Sequence, residues 1–193
     1  MSAVDPDIVI CDSITQLTAA DRGRVVVSGS HGGLYAAYVA ARDGARAVIL
    51  NDAGRGRDDA GIAGLDYLDE LELAAAAVGH DTARIGDGAD MMRRGVLTAV
   101  NRTAAALGCH IGQPCAEAAQ MLRAASPSDR SPPRYEESRF LLRDGPVRVW
   151  GLDSAALVRP KDVGHIVVTG SHGGLLGGRP EYALRVAARA AVY

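Results

Sequence analysis

Short apolar runs alternate with amphipathic, small-residue stretches through the first half of the chain. Residues 8–11 (IVIC) and 24–28 (RVVVS) are rich in β-branched side chains, are bounded by turn residues, and predict strands. Gly32 and Gly33 follow the second run, and residues 34–43 (LYAAYVAARD) predict a helix ended by Gly44. Residues 47–50 (AVIL) are an unbroken apolar run of the kind found in buried parallel strands. A polar, Gly-rich loop over 51–61, a helix over 62–70, a third strand over 72–78 and a polar loop over 79–88 come next. Residues 89–107 predict one helix, with Asp87 or Asp90 near its start and Gly108 at its end. Pro114 suits the first turn of a further helix running to about Ala125. A turn-rich connector over 126–134 leads to a hairpin over 138–150 that turns at Asp144-Gly145.

Strands and helices in this alternation imply a parallel sheet with covering helices. The expected class is α/β, with a Rossmann-like, mostly parallel sheet and right-handed crossovers. The Gly29-Ser30-His31-Gly32-Gly33 loop departs from the GxGxxG dinucleotide fingerprint, so no nicotinamide cofactor is expected.

A repeat is the strongest signal. Residues 12–34 align with residues 153–175 without a gap at an offset of 141, with 12 identities in 23 positions. Asp-Ser, Asp-x-Gly, an apolar strand and Gly-Ser-His-Gly-Gly-Leu recur in both. Residues 45–50 match 188–193 after two extra residues in the second copy. Internal duplication with an incomplete second copy is the reading. It divides the chain into a first α/β repeat unit (1–125), a connector (126–137), and a hairpin with a truncated second unit (138–193). A strand and its helix cannot bury their apolar faces alone. The second copy is therefore expected to be completed by a second chain, by a fragment left after proteolytic processing, or by a homo-oligomeric partner, the alternative being a stub packed on the first unit.

Composition adds exclusions. Apolar residues make 48% of the 193 and charged residues 23%, the globular range rather than the disordered one. The net charge of −2, with one Phe and one Trp, gives no basic stripe for nucleic acid. No apolar stretch approaches the ~18 residues of a membrane span, and residues 1–7 lack the positive-then-apolar pattern of a signal peptide, so a cytoplasmic protein is expected. Lys161, the single lysine, sits in a polar turn and is a poor catalyst. Cys11, Cys109 and Cys115 lack CxxC spacing, which argues against a disulfide framework or zinc ribbon. An apolar strand followed by His31-Gly32 resembles caspase-like peptidases. None of the cysteines follows the next strand, where that family's nucleophile belongs, and the assignment fails there.

Candidate chemistry gathers beyond the carboxyl ends of the strands, where open α/β sheets bind ligands. In each Gly-Ser-His-Gly-Gly loop, glycines let backbone approach a ligand and amides precede a helix N-terminus, which suits an anion or oxyanion. Ser30 and Ser171 are candidate nucleophiles or donors, and His31 and His172 candidate proton carriers, with Gly32, Gly33, Gly173 and Gly174 lining the ligand. The structural alternative is a tight strand-to-helix turn capped by Ser and His. Asn51 and Asp52 end a strand, where a carboxylate can orient a histidine or activate water; a self-bonded turn is the alternative. His80 and Asp87, in the loop after the third strand, are candidate ligand-binding residues, Asp87 doubling as a helix cap. Arg55 and Arg57 are expected to pair with Asp58 and Asp59. No metal is expected, for the histidines and carboxylates lack a metal-binding spacing.

Three functions follow. One is a subunit of a small-molecule hydrolase acting on an amide or related carbonyl compound. The second is a non-catalytic module binding a small anion. The third is a structural subunit of a heteromer.

Overall fold

The computed structural model describes residues 5–173, 179 and 186–192. The chain is α/β and forms two compact units, Met1–Pro133 and Arg134–Tyr193, each with a mixed sheet of mostly parallel strands.

In the first unit, β1 (Ile8–Cys11), β2 (Val25–His31), β3 (Ala47–Asn51) and β4 (Ala74–Val78) are parallel neighbours in chain order. β5 (Leu97–Val100) closes the sheet antiparallel to β4. The strand starts are level, Ile8 pairing with Val25, Val25 with Ala47 and Ala47 with Ala74. The carboxyl ends of β2, β3 and β4 therefore emerge side by side.

The apolar runs are continuous because both faces of the sheet are covered. Alternate residues feed two cores. Val26, Val48, Leu50, Ala75 and Ala77 pack under α1 (Leu34–Arg42) and α2 (Gly64–Glu70), which contribute Ala37, Val39, Leu65 and Leu68. Val25, Val27, Ile49, Ala76 and Val78 pack on the other face against α3 (Gly88–Arg94) and α5 (Cys115–Met121) through Met91, Cys115, Ala118 and Ala119. Truncating a fully buried residue such as Ile49 to Ala would cost about 2–5 kcal/mol.

The helix expected over 89–107 is not one helix. It divides into α3, the strand β5 and α4 (Arg102–Ala106). Gly95 ends α3 in an extended conformation, and β-branched residues at 96, 98 and 100 favour the strand. Asn101 then caps α4 through a bond from the Ala104 amide. The other expected elements stand where the pattern put them, with β2 running on to His31.

In the second unit, β6 (Arg139–Arg143) pairs antiparallel with β7 (Val149–Leu152), and β8 (Ile166–Thr169) and β9 (Ala190–Val192) follow in parallel. The register of β7, β8 and β9 repeats that of β1, β2 and β3. The β1–β2 register Ile8↔Val25 to Cys11↔Ser28 recurs as Val149↔Ile166 to Leu152↔Thr169, each number raised by 141. Val25↔Ala47 recurs as Ile166↔Ala190, the last residue raised by 143, which is the two-residue insertion read in the sequence. Gly23 and Gly164 precede β2 and β8 with the same left-handed φ of 76°.

Candidate functional site

The best-defined polar cluster stands where β3, β4 and β5 meet. Asp52 follows β3 and is 3% exposed, although it carries a carboxylate. Its Oδ1 accepts the amides of Gly54 and His80, each at 2.9 Å, and the ring Nδ1 of His80 at 3.0 Å. Its Oδ2 accepts the hydroxyl of Thr98 at 2.9 Å. Burial alone would raise the Asp52 pKa, but these four bonds outweigh it and hold the carboxyl below its ordinary value. An ionised carboxylate only accepts, so the shared proton resides on His80 Nδ1 and leaves Nε2 of a neutral ring without one. The His80 side chain is 57% exposed, so a buried anion orients an imidazole that faces solvent.

Backbone strain surrounds this pair. Ala53, Arg55, Asp58 and Asp59 all have φ between 52° and 64°, with Gly54 and Gly56 also left-handed. A non-glycine residue held there costs of order 1–3 kcal/mol, and such residues cluster at functional sites. Gly54 lies under the His80 ring, where an added Cβ would sit 3.8 Å from it. Arg55 pairs with Asp59 and Arg57 with Asp58, as expected. A cavity of 380 Å³ borders the cluster, with Arg55, Asp59, Leu65, Asp66, Thr98 and Ile111 in its wall. A larger one of 750 Å³, walled by Asp69, Glu72, Arg102, Leu107 and Arg130 among others, holds none of the expected site residues.

The Gly-Ser-His-Gly-Gly loop engages its own polar groups. Ser30 Oγ accepts the amide of Ile14 at 2.9 Å, and the Ser30 amide donates to Ser28 Oγ at 3.3 Å. Gly32 donates to the carbonyl of Asn51, and Gly33 donates to His31 Nδ1 at 3.0 Å. That last bond puts the proton of a neutral His31 on Nε2. His31 pairs in register with Asn51, which is fully buried and bonds the Ala53 amide and the Ala83 carbonyl. Ser30 Oγ thus serves the Ile14 amide, while Asp52 and His80 come together.

Asp87 caps α3 by accepting the Asp90 amide at 2.8 Å. Gly29 faces the same loop, where an added Cβ would meet the Asp87 amide nitrogen at 2.5 Å. In the second unit, Ser171 Oγ accepts the amide of Ala155 at 2.9 Å, the counterpart of the Ser30 bond. Burial lowers the His172 pKa and favours its neutral ring. Gly173 is exposed, and Gly174 lies outside the described residues.

Thr98 escaped the sequence reading because residues 89–107 read as a single helix; the β-branched pattern at 96, 98 and 100 after Gly95 was the available signal. Cys115, fully buried at the start of α5, has its thiol pushed up to about 12 by burial, which disfavours the thiolate. Among the described residues, no group of three or more His, Cys, Asp or Glu side chains is placed to hold a metal ion, and no helix is long and apolar enough to cross a membrane.

No family model, no curated protein and no solved structure matches this chain.

Proposed function

We propose that the first unit hydrolyses the C–N bond of a small amide or related carbonyl compound, with His80 as proton carrier and Asp52 as the group that orients it. The observation that carries the reading is the buried Asp52 carboxylate bonded to Nδ1 of an exposed imidazole. In this mechanism His80 Nε2 takes a proton from water as the water oxygen attacks the carbonyl carbon. The resulting imidazolium then gives that proton to the departing nitrogen as the C–N bond breaks. Asp52 stays ionised and stabilises the imidazolium throughout, a role suited to a carboxyl whose pKa lies below its ordinary value. The strained 53–59 loop and the adjoining cavity support a ligand site at this sheet edge.

Within this reading the Gly-Ser-His-Gly-Gly loop ties the end of β2 to its surroundings, since Ser30 bonds the Ile14 amide, Gly32 bonds the Asn51 carbonyl and Gly33 bonds His31. We also infer that the second unit is a duplicate of the β1–β3 segment. The recurrence of register at offsets 141 and 143 supports this.

The experiment is turnover of p-nitroacetanilide and p-nitrophenyl acetate by the full chain, its His80→Ala variant and its Asp52→Asn variant. Loss of about 10²–10⁴-fold in both variants is expected. Wild-type rates in His80→Ala would overturn the assignment. Saturable binding of acetanilide without turnover would favour the non-catalytic binding module instead.

A further inference from the structure

We propose that Thr98 is the positioning residue of the Asp52–His80 pair, set by a β-bulge to clamp the carboxylate in the one orientation that fixes the His80 ring. The inference rests on the functional reading above but is tested without turnover.

Along β5 the antiparallel register runs Val100↔Ala76, Ala99↔Ala77 and then Leu97↔Val78. Residue 98 is the extra one and has no partner on β4. A bulge of this kind bends the strand and re-aims a side chain, and bulges are over-represented beside active sites. Here the half-buried Thr98 directs its hydroxyl to Asp52 Oδ2 at 2.9 Å, against 3.5 Å to its other acceptor, the carbonyl of Ala77. Asp52 is thereby held by both oxygens, one on Thr98 and one on residue 80. Rotating the carboxylate would leave a buried oxygen without a partner, which is costly.

The methyl of Thr98 is held as well. A Cβ at Gly79, the residue before His80, would lie 2.8 Å from Thr98 Cγ2, so only glycine there leaves room for this placement. The Gly79 amide also bonds the carbonyl of Val96, tying the start of the bulged segment to the end of β4. Methyl against Gly79 and hydroxyl on Asp52 together define one side-chain orientation. A β-branched hydroxyl residue meets both requirements, and Val and Ser each meet one.

The test is the tautomer of the neutral His80 ring, read from the ¹⁵N shifts of Nδ1 and Nε2 in the full chain. Wild type is expected to carry the proton on Nδ1. Thr98→Val keeps the shape and removes the donor; the Nδ1–H form should cease to be the major one. Thr98→Ser keeps the donor without the methyl and should restore that form in part, to a share between T98V and wild type. Should T98V not fold, Thr98→Cys, a much weaker donor, is read in the same way. A wild-type pattern in T98V or T98C overturns the proposal, as does a Thr98→Ser protein that behaves like T98V. A wild-type ring protonated on Nε2 would instead overturn the Asp52–His80 pair itself, which separates the two failures.

Discussion

One oxygen of Asp52 holds residue 80 twice, accepting the His80 amide at 2.9 Å and its ring Nδ1 at 3.0 Å. The backbone bond fixes where the loop leaves β4, and the ring bond fixes which way the imidazole turns. A single buried carboxylate thus couples the end of β3 to the end of β4, and through Thr98 to β5.

This coupling predicts a graded response at position 52. Asp52→Ala leaves the Gly54 and His80 amides and the Thr98 hydroxyl without their acceptor. Gly54 and His80 are exposed and Thr98 is half-buried, so water partly replaces the lost acceptor and each group should cost about 1 kcal/mol, the low end for an orphaned donor. Asp52→Asn keeps an accepting oxygen and should be clearly milder. The carboxyl's folded pKa lies below its unfolded value of about 4, so its ionic contribution is complete above that value. It is lost as pH falls through the folded pKa. Urea midpoints at neutral and acid pH should show the gap between wild type and Asp52→Asn narrowing as the solution is acidified.

Glycine substitutions should separate close approach from backbone conformation. An added Cβ at Gly29 would meet three backbone atoms, the Asp87 nitrogen at 2.5 Å and the Asp12 oxygen and Gly86 carbon at 2.7 Å. Backbone cannot step aside as a flexible side chain can, so Gly29→Ala should cost about 3 kcal/mol, the upper end for overpacking. Gly23, with φ of 76° and open space around it, should cost about 1 kcal/mol on change to Ala, from conformation alone. Equal losses in thermal or urea unfolding would contradict the crowding seen at Gly29.

The strands β1 to β4 were legible because a parallel strand covered on both faces writes itself as an unbroken apolar run, as in Ala47–Leu50. The repeat was legible as identities at one offset, although the matching hydrogen bonds of Ser30 and Ser171 were not. Residues 89–107 misled because α3, β5 and α4 are all short, and a four-residue strand holds too few positions to display its period against flanking helices. Asp52 is legible as a strand-end carboxylate able to orient a histidine. Its partner, His80, lies 28 residues away, beyond β4, and no spacing in the sequence marks it. The bulge at Thr98 leaves no trace in composition at all.

Asp90 offers a second pH-linked prediction. It is 1% exposed and accepts the Arg84 amide together with the guanidinium groups of Arg93 and Arg94. The bond from Arg94 is the foremost reason its carboxyl titrates far below the ordinary range. Replacing it with Asn removes the anion and leaves two cations near the end of α3 without their shared counter-ion. A loss of about 1–3 kcal/mol at neutral pH is expected, the cations being partly exposed and screened. Since the folded pKa is depressed, the wild-type advantage should be full at neutral pH and fade below about 4. A difference in urea midpoint that stays constant from neutral to strongly acid pH would count against this account.

Ser30 and Ser171 provide the sharpest separation of structure from chemistry. Each hydroxyl oxygen accepts an amide sixteen residues upstream, from Ile14 and from Ala155, at 2.9 Å in both units. Those amides open the 3-10 turns at Ile14–Gln16 and Ala155–Leu157, which link β1 to β2 and β7 to β8. Removing the oxygen leaves the turn's first amide unsatisfied, so Ser30→Ala should lower stability by about 1–3 kcal/mol, Ile14 being buried beside it. Ser171→Ala should cost less, because Ala155 is only half-buried and water can reach its amide. Turnover of the amide and ester probes should survive both changes once each variant is assayed well below its melting temperature. A Ser30→Ala protein with wild-type stability and no turnover would make Ser30 the nucleophile and move the chemistry from the end of β3 to the end of β2.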